Sequence, residues 1–385
     1  LGAKRAAERI SPKKPHTSAE KGDKMKLCVR QICFLFAAVL PVTRLLVYPA
    51  TLSFWAKNDL LFAAGMSFVL EGAAVAAAVF LASRTQKTFF ELLESNFGKT
   101  AARAVYLLFA LFFAFSAFLP ILEQRGFVLQ VFYENLPSFL SFLPVFLVSL
   151  YACAKGLRSI GRAADIALPV SAVCFVILFL MAVTEGDYTA LLPLFGTGTG
   201  ILRGGAFGLP WYTGGAYMLF FLGNFRYERG AAGKILLSYA IGAAAVLAFL
   251  AAFYAIFSDI ALLQQNALAH VSKYATAFTS LGRVDLFFVF ALTLVLLFAL
   301  CIPLQLSVHC ACTALSCKTA LPALAVNALL LVLTLVFNQS YLEIQTLMTQ
   351  KLWVVYACFA LILPYVALFL RRKDRALPCR QRREA

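Results

Sequence analysis

The sequence predicts an all-α polytopic membrane protein with about ten transmembrane helices. Its 385 residues are 62% hydrophobic and only 14% charged, with a mean hydropathy of +0.83. Soluble globular chains contain about 45–50% apolar and about 25% charged residues. The apolar residues also occur in blocks close to the roughly 20 residues that a helix needs to cross a bilayer. Because a water-soluble core cannot hide such an excess, the bilayer is the expected solvent.

Ten apolar blocks are separated by loops too short to hold a second domain. We therefore expect one ten-helix domain at 25–373, a disordered polar and basic tail at 1–24 and a basic cytoplasmic tail at 374–385. The first tail has an alternative explanation, an artefact of start-site choice. The fourth span is the weakest, because it is short and contains Pro144. The predicted spans are 31–55, 60–82, 104–124, 139–154, 166–184, 205–224, 234–257, 285–308, 320–337 and 351–370.

Lysine and arginine test this span map independently, because cytoplasmic loops are enriched in both. If the N-terminus is inside, the outer segments hold only six of them, and both termini are predicted to be cytoplasmic. The formal charge of +16 then indicates topology and attraction to anionic lipid. No folded basic face is predicted outside the membrane, so a nucleic-acid partner is not expected. The six outer residues are Lys57, Arg125, Arg203, Lys273, Arg283 and Lys351.

Spans one and six contain helix-breaking residues. Pro41 and Pro49 interrupt the first span, and a glycine-rich segment at 204–215 interrupts the sixth. Interrupted helices at corresponding places in two halves are typical of a transporter site. Their positions predict a five-plus-five inverted repeat with a substrate site between the breaks, although proline and glycine are also common in membrane helices generally. The candidate binding residues are Thr43, Arg44, Gly208, Pro210, Tyr212, Thr213 and Gly214.

Arg44 is the most informative of these candidates. It lies about 20 Å along the first span at 1.5 Å per residue, where an arginine costs roughly 2.5–3.5 kcal/mol to insert. Two partners are open: a substrate carboxylate, or Glu71 of the second span in a structural ion pair. Glu123 is expected only at the interface. The sixth span has no acidic residue in 204–224, which weakens any model with a sodium-binding or proton-carrying carboxylate there.

Other chemical signatures are sparse. The cluster His309, Cys310, Cys312 and Cys317 fits no established zinc spacing. We therefore interpret these residues as small, soft side chains at the inner end of the eighth span and not as a metal site. None of the ten cysteines lies in a predicted outer loop, which argues against structural disulfides. A Walker-type nucleotide loop is also missing. We expect no cofactor, no metal site and no enzymatic activity.

Several short segments occur in a characteristic order across 25–373. The first is Val29-Arg30-Gln31, followed by Leu45-Leu46-Val47-Tyr48-Pro49, Lys155-Gly156-Leu157-Arg158-Ser159-Ile160-Gly161-Arg162-Ala163, Leu191-Leu192-Pro193-Leu194, Lys273-Tyr274 and Ser280-Leu281-Gly282-Arg283-Val284-Asp285. In this order the chain resembles the endospore germination permeases, the B subunits of germinant receptors. These proteins are similar to the amino acid–polyamine–organocation transporters.

The resemblance implies a ten-helix transporter-like fold with an amino acid or similar germinant bound near the midplane. It also implies assembly with A and C subunits in the inner membrane of a bacterial spore. Two hypotheses stay open beside this one: a proton- or sodium-coupled amino-acid transporter, and a scaffold with a vestigial site. Structural roles are expected for Arg158 and Arg162, which anchor an inner loop to phosphates, and for Arg283 and Asp285, which pair or cap the eighth helix.

Overall fold

The computed structural model describes residues 27–85, 87–131, 137–225, 227–274 and 285–376. These residues form helices and loops, and their only β-type pairing is an isolated bridge between Leu27 and Phe225. The predicted tail 1–24 lies outside the described residues, as does most of 374–385. The last helix runs to Ala376, three residues into the predicted second tail.

The first predicted span is a chain of short helical pieces. Helix α1 (Val29–Phe34) continues through a π-helical turn, Leu35–Val39, and a single turn, Leu40–Val42. The 3-10 turn Thr43–Leu45 ends the regular path before α2 (Tyr48–Ala56) begins. Pro49 lies in the first turn of α2, where a missing amide removes no helix bond. Leu46 lies in the break between these two pieces, and its carbonyl accepts a hydrogen bond from the Ala267 amide at 3.0 Å.

The sixth predicted span is broken in the same manner. Helix α8 (Thr199–Phe207) ends at Gly208, a 3-10 turn covers Leu209–Trp211, and α9 (Gly214–Phe221) follows. Both breaks therefore lie where proline and glycine predicted them.

The remaining helices are longer, and we number them in chain order with the short ones. They are α3 (Leu60–Arg84), α4 (Phe89–Phe97), α5 (Lys99–Val131), α6 (Ser138–Lys155), α7 (Arg158–Val183), α10 (Ala231–Phe257), α11 (Ala267–Tyr274), α12 (Asp285–Leu315), α13 (Ala320–Val336), α14 (Tyr341–Thr346), α15 (Trp353–Tyr356) and α16 (Leu363–Ala376). Helix α12 packs along α5, and also against α6 and α7. Helix α3 packs against α8, α9 and α10, so it contacts both halves of the sixth span.

Within the described part of the chain, seven helices are long and apolar enough to cross a membrane. A bent pair, Ala320–Val336 with Tyr341–Lys351 at 116°, raises the number to eight. The predicted spans one and six are not among these helices, because their breaks divide them into pieces too short to cross a membrane alone. The first span's second piece joins the second span in one stretch, Tyr48–Arg84. An all-α polytopic architecture is therefore present, while the count of ten and the inverted repeat stay predictions.

Candidate functional site

The two helix breaks lie against each other in the interior. The hydroxyl oxygens of Tyr48 and Tyr212 are 2.9 Å apart, one from each broken span. The Arg44 Nε donates to the backbone carbonyl of Trp211 at 3.0 Å. That carbonyl lies in the 3-10 turn before α9, where regular helix pairing stops. The Arg44 side chain therefore bonds directly to the broken part of the sixth span.

Arg44 also forms a buried ion pair with Glu71 of α3. One guanidinium nitrogen donates to both Glu71 carboxylate oxygens, at 2.8 and 2.7 Å. The two side chains are 4% and 0% exposed. The guanidinium carbon also lies 4.2 Å from the Tyr212 ring centre and 5.0 Å from that of Phe68. Of the two partners left open for Arg44, the structure contains Glu71. A role toward a substrate carboxylate stays a prediction, and the arginine charge does not require one.

Glu71 supplies the carboxylate that the sixth span lacks. Its Oε1 accepts a hydrogen bond from the Gly214 amide at 2.7 Å, and its Oε2 accepts one from the Tyr239 hydroxyl at 2.8 Å. Gly214 opens α9, where the first amides have no partner within the helix and a negative charge is stabilised. The missing acid in 204–224 is therefore replaced from the neighbouring helix α3. The Glu71 carboxylate therefore links four parts of the protein, namely the two breaks, its own helix α3 and helix α10.

A small cavity of about 30 Å³ lies where the breaks meet. We call it the junction cavity. A single water needs roughly 10–15 Å³ of such space, so the cavity has room for about two waters and is closed to an amino acid. Its walls come from both broken spans and from α5 and α12. The lining residues are Leu40, Thr43, Arg44, Ser116, Pro120, Pro210, Trp211, Thr213, Gly214, Tyr217, Ala299, Leu300 and Pro303.

The predicted binding residues divide into two groups. Thr43, Arg44, Pro210, Thr213 and Gly214 line the junction cavity. Tyr212 and Gly208 lie beside it and contact Tyr48 instead, since a Cβ added at Gly208 would come within 2.9 Å of the Tyr48 ring. Pro41 packs against Gly242 of α10. The Pro49 carbonyl accepts the Ser53 hydroxyl at 2.8 Å within α2.

Two cavity helices were not anticipated from the sequence. Helices α5 and α12 each contain an internal proline, Pro120 and Pro303. Each proline removes the amide that would bond the carbonyl four residues earlier, at Ser116 and Ala299. All four residues line the junction cavity. A proline inside an otherwise unbroken apolar helix is the sequence signal that could have identified these walls.

Glu123, predicted near the outer end of the third span, is buried inside the protein. Only 1% of the residue is exposed, and its Oε2 accepts a hydrogen bond from the Trp211 indole at 3.4 Å. Glu123 lies on α5 and shares a cavity wall with residues of the loops that precede α11 and α14.

Arg158 and Arg162 lie at a different place. With Lys155 they line a cavity of about 530 Å³ between α6, α7 and α12, away from the junction cavity. Arg283 lies outside the described residues. Asp285 begins α12, and its side chain is likewise outside the described part.

The described residues contain no group of three or more potential metal ligands of the His, Cys, Asp or Glu type, and all nine described cysteines are free thiols.

A family model for spore germination proteins, of the spore permease type, matches residues 64–341. This match covers more than half of the chain. The chain belongs to this family.

Solved structures support the fold of this germination protein. A nucleobase-cation-symport-1 family transporter, solved in a closed conformation with bromovinylhydantoin bound, matches with a TM-score of 0.55. The match covers 84% of this chain and 76% of the transporter at 12% sequence identity. At such low identity, the match shows a shared fold and says nothing about the ligand of this chain. A search of curated proteins finds no match.

The tyrosine contact between the breaks leads to a testable prediction. Tyr48→Phe leaves the Tyr212 hydroxyl, buried at 0% exposure, without its partner. A buried unsatisfied hydroxyl costs about 1–3 kcal/mol. The double variant Tyr48→Phe with Tyr212→Phe removes both groups, so it should cost less than the two single changes together. Thermal unfolding in detergent measures this, and Tyr365→Phe, an exposed tyrosine, is the control. Strictly additive costs would show that the two hydroxyls do not interact.

Proposed function

We propose that this chain is the permease-like subunit of a germinant receptor, which binds an amino acid or similar small nutrient at the junction cavity and signals to A and C subunits. The observation that carries the proposal is the meeting of two broken helices around one closed cavity, in a germination-family chain. Broken helices expose backbone groups and hydroxyls near the bilayer midplane, where unbroken helices offer none. That chemistry suits a small polar ligand.

The size of the junction cavity suggests how binding becomes a signal. At about 30 Å³ it does not hold an amino acid, so the ligand must bind a more open conformation. A ligand that binds one conformation better shifts the population toward it. The shift would move α9 and the first span relative to α5 and α12, and partner subunits that contact those helices would detect the change.

Glu71 already binds two of the groups that a ligand at the junction cavity could contact. The Arg44 charge is neutralised, and the Gly214 amide is taken. The remaining groups are the hydroxyls of Thr213 and Tyr217 and the carbonyls released by Pro120 and Pro303. The Thr43 and Ser116 hydroxyls already donate to backbone carbonyls. We expect the carbonyls to accept the ligand ammonium group and the hydroxyls to contact its carboxylate.

A secondary active transporter driven by protons or sodium is the second candidate. The shared transporter fold favours it, because sensors and carriers use the same architecture. Uptake of radiolabelled amino acids into proteoliposomes separates the two functions. A sensor binds without accumulating the ligand, and a carrier accumulates it only under an ion gradient.

The membrane placement follows the same proposal. The multi-pass chain would lie in the bacterial cell membrane or spore inner membrane with both termini in the cytoplasm. Arg158 and Arg162 would then face lipid phosphates on the inner side.

Ligand-induced thermal stabilisation tests the proposal. We expect one or more of the common amino acids to raise the unfolding temperature of the purified protein. A ligand at 100 times its dissociation constant adds about 2.7 kcal/mol to the native state. Thr213→Val removes a hydroxyl from the junction cavity and should reduce the shift. Thr334→Val removes a buried threonine hydroxyl from α13, away from the cavity, and should keep it. The same shift in both variants would contradict a site at the junction.

A further inference from the structure

A second cavity lies beside Glu123, whose carboxyl group accepts a hydrogen bond from the Trp211 indole. Its volume is about 120 Å³, which is close to the roughly 150 Å³ of an engineered protein cavity that binds benzene. A ligand of about six non-hydrogen atoms therefore fits. We call it the Glu123 cavity. It is lined by Val47, Leu122, Glu123, Arg125, Gly126, Gln265, Asn266, Asn338 and Tyr341.

A carboxyl group and a guanidinium line this cavity without pairing with each other. The Glu123 Oε2 has only the 3.4 Å contact from the Trp211 indole, and Oε1 has no hydrogen-bond partner. Arg125 donates from one terminal nitrogen to the Ser138 hydroxyl at 3.1 Å, while its buried Nε has no partner. The described residues contain two ion pairs, Arg30–Asp165 and Arg44–Glu71, and neither involves Glu123 or Arg125.

A buried carboxyl group without a hydrogen-bond partner is costly, and each such group in a native structure requires a partner or a role. The buried hydroxyl of Tyr341, on the same wall, also has no partner among the described residues. Three groups with unsatisfied atoms thus line one small cavity: a buried carboxyl group, a half-buried guanidinium and a buried hydroxyl. Water alone supplies hydrogen bonds but no charge.

We propose that the Glu123 cavity binds a small α-amino acid as a zwitterion. The ligand ammonium group lies at Glu123 Oε1, and its carboxylate lies toward Arg125 and the Tyr341 hydroxyl. The volume limits the ligand to glycine, alanine or a molecule of similar size. This site is separate from the junction cavity and does not depend on binding there.

Trp211 connects the two cavities. The residue lines the junction cavity, its carbonyl accepts a hydrogen bond from Arg44, and its indole N–H donates to Glu123. A ligand ammonium group at Glu123 competes with the indole for the carboxylate. Occupancy of the Glu123 cavity therefore changes the surroundings of Trp211, and Trp211 fluorescence reports it.

Tryptophan fluorescence of the full chain provides the test. The chain has three tryptophans, so Trp55→Phe and Trp353→Phe leave Trp211 as the only emitter. We expect glycine and L-alanine to change the emission saturably. Methylamine and acetate, which each carry one of the two charges, should bind far more weakly. Glu123→Gln and Arg125→Gln should each weaken glycine binding at least about thirtyfold, as expected for a lost buried charge partner.

Two controls make the result decisive. Glu123→Gln keeps an acceptor for the Trp211 indole, and its melting temperature should equal or exceed that of the parent, because a buried unpaired carboxylate is removed. Thr213→Val changes only the junction cavity and should leave this glycine affinity intact. Equal glycine affinity in Glu123→Gln and the parent would overturn the inference, as would no emission change with either amino acid. Binding lost in Thr213→Val alone would also overturn it, while supporting the junction site.

Discussion

Glu71→Ala should be among the most destabilising single substitutions in this protein. The change leaves Arg44, at 4% exposure, as a buried charge without its partner, and also removes the acceptor for Gly214 and Tyr239. Removing one member of a buried ion pair costs about 3–5 kcal/mol. We expect a large fall in unfolding temperature and in the yield of folded protein after detergent extraction.

Two controls test the cause of this loss. Glu343→Ala removes an exposed glutamate and should change stability by no more than about 0.5 kcal/mol. The double variant Arg44→Met with Glu71→Leu replaces the pair by apolar side chains and should recover part of the stability, because no unpaired charge remains. If Glu71→Ala were as stable as Glu343→Ala, the ion pair would not hold the two breaks together.

Gly215→Ala is the second large predicted effect, and it acts through packing. A Cβ at this position would overlap the backbone carbonyl of Ala360 and lie 2.9 Å from the Ala74 side chain. Neither the carbonyl nor α3 can move aside alone, so α9 must shift. Overpacking of this kind costs about 1–3 kcal/mol. Thermal unfolding measures it.

The matched control is Gly233→Ala in α10. A Cβ there has no neighbour within 4 Å, and the residue is exposed. The change should therefore stabilise the helix by up to about 1 kcal/mol through helix propensity. Equal effects of the two substitutions would contradict the close approach of α9 to α3 and to the 357–362 turn.

Much of the architecture was predictable because apolar blocks and breaking residues act locally. Pro41, Pro49 and the glycine-rich segment at 204–215 interrupt their helices through their own backbone chemistry, whatever their neighbours are. The number of complete spans was less predictable. The same breaks divide spans one and six, and the 3-10 turn Lys57–Asp59 joins Tyr48 to Arg84 in one continuous stretch.

Partnerships between distant residues were harder to predict. The sequence offered Glu71 as one of two partners for Arg44, but it gave no sign that the same carboxylate bonds Gly214, 143 residues away. For Glu123, distance from the helix end indicated a position along the span but not whether the side chain is buried in the protein. Its burial depends on Trp211 and on loops whose positions follow from tertiary packing.

Thiol reactivity at position 213 tests most directly whether the two broken helices enclose a site that opens for a ligand. Thr213→Cys places a thiol on the junction cavity, and Thr189→Cys places one on an exposed loop. Modification by a small water-soluble maleimide is followed at each peptide by mass spectrometry. The account predicts slow modification at 213, and a change in that rate with a mixture of the common amino acids, while modification at 189 stays fast and unchanged. Equal rates at the two positions, with no effect of amino acids, would contradict it.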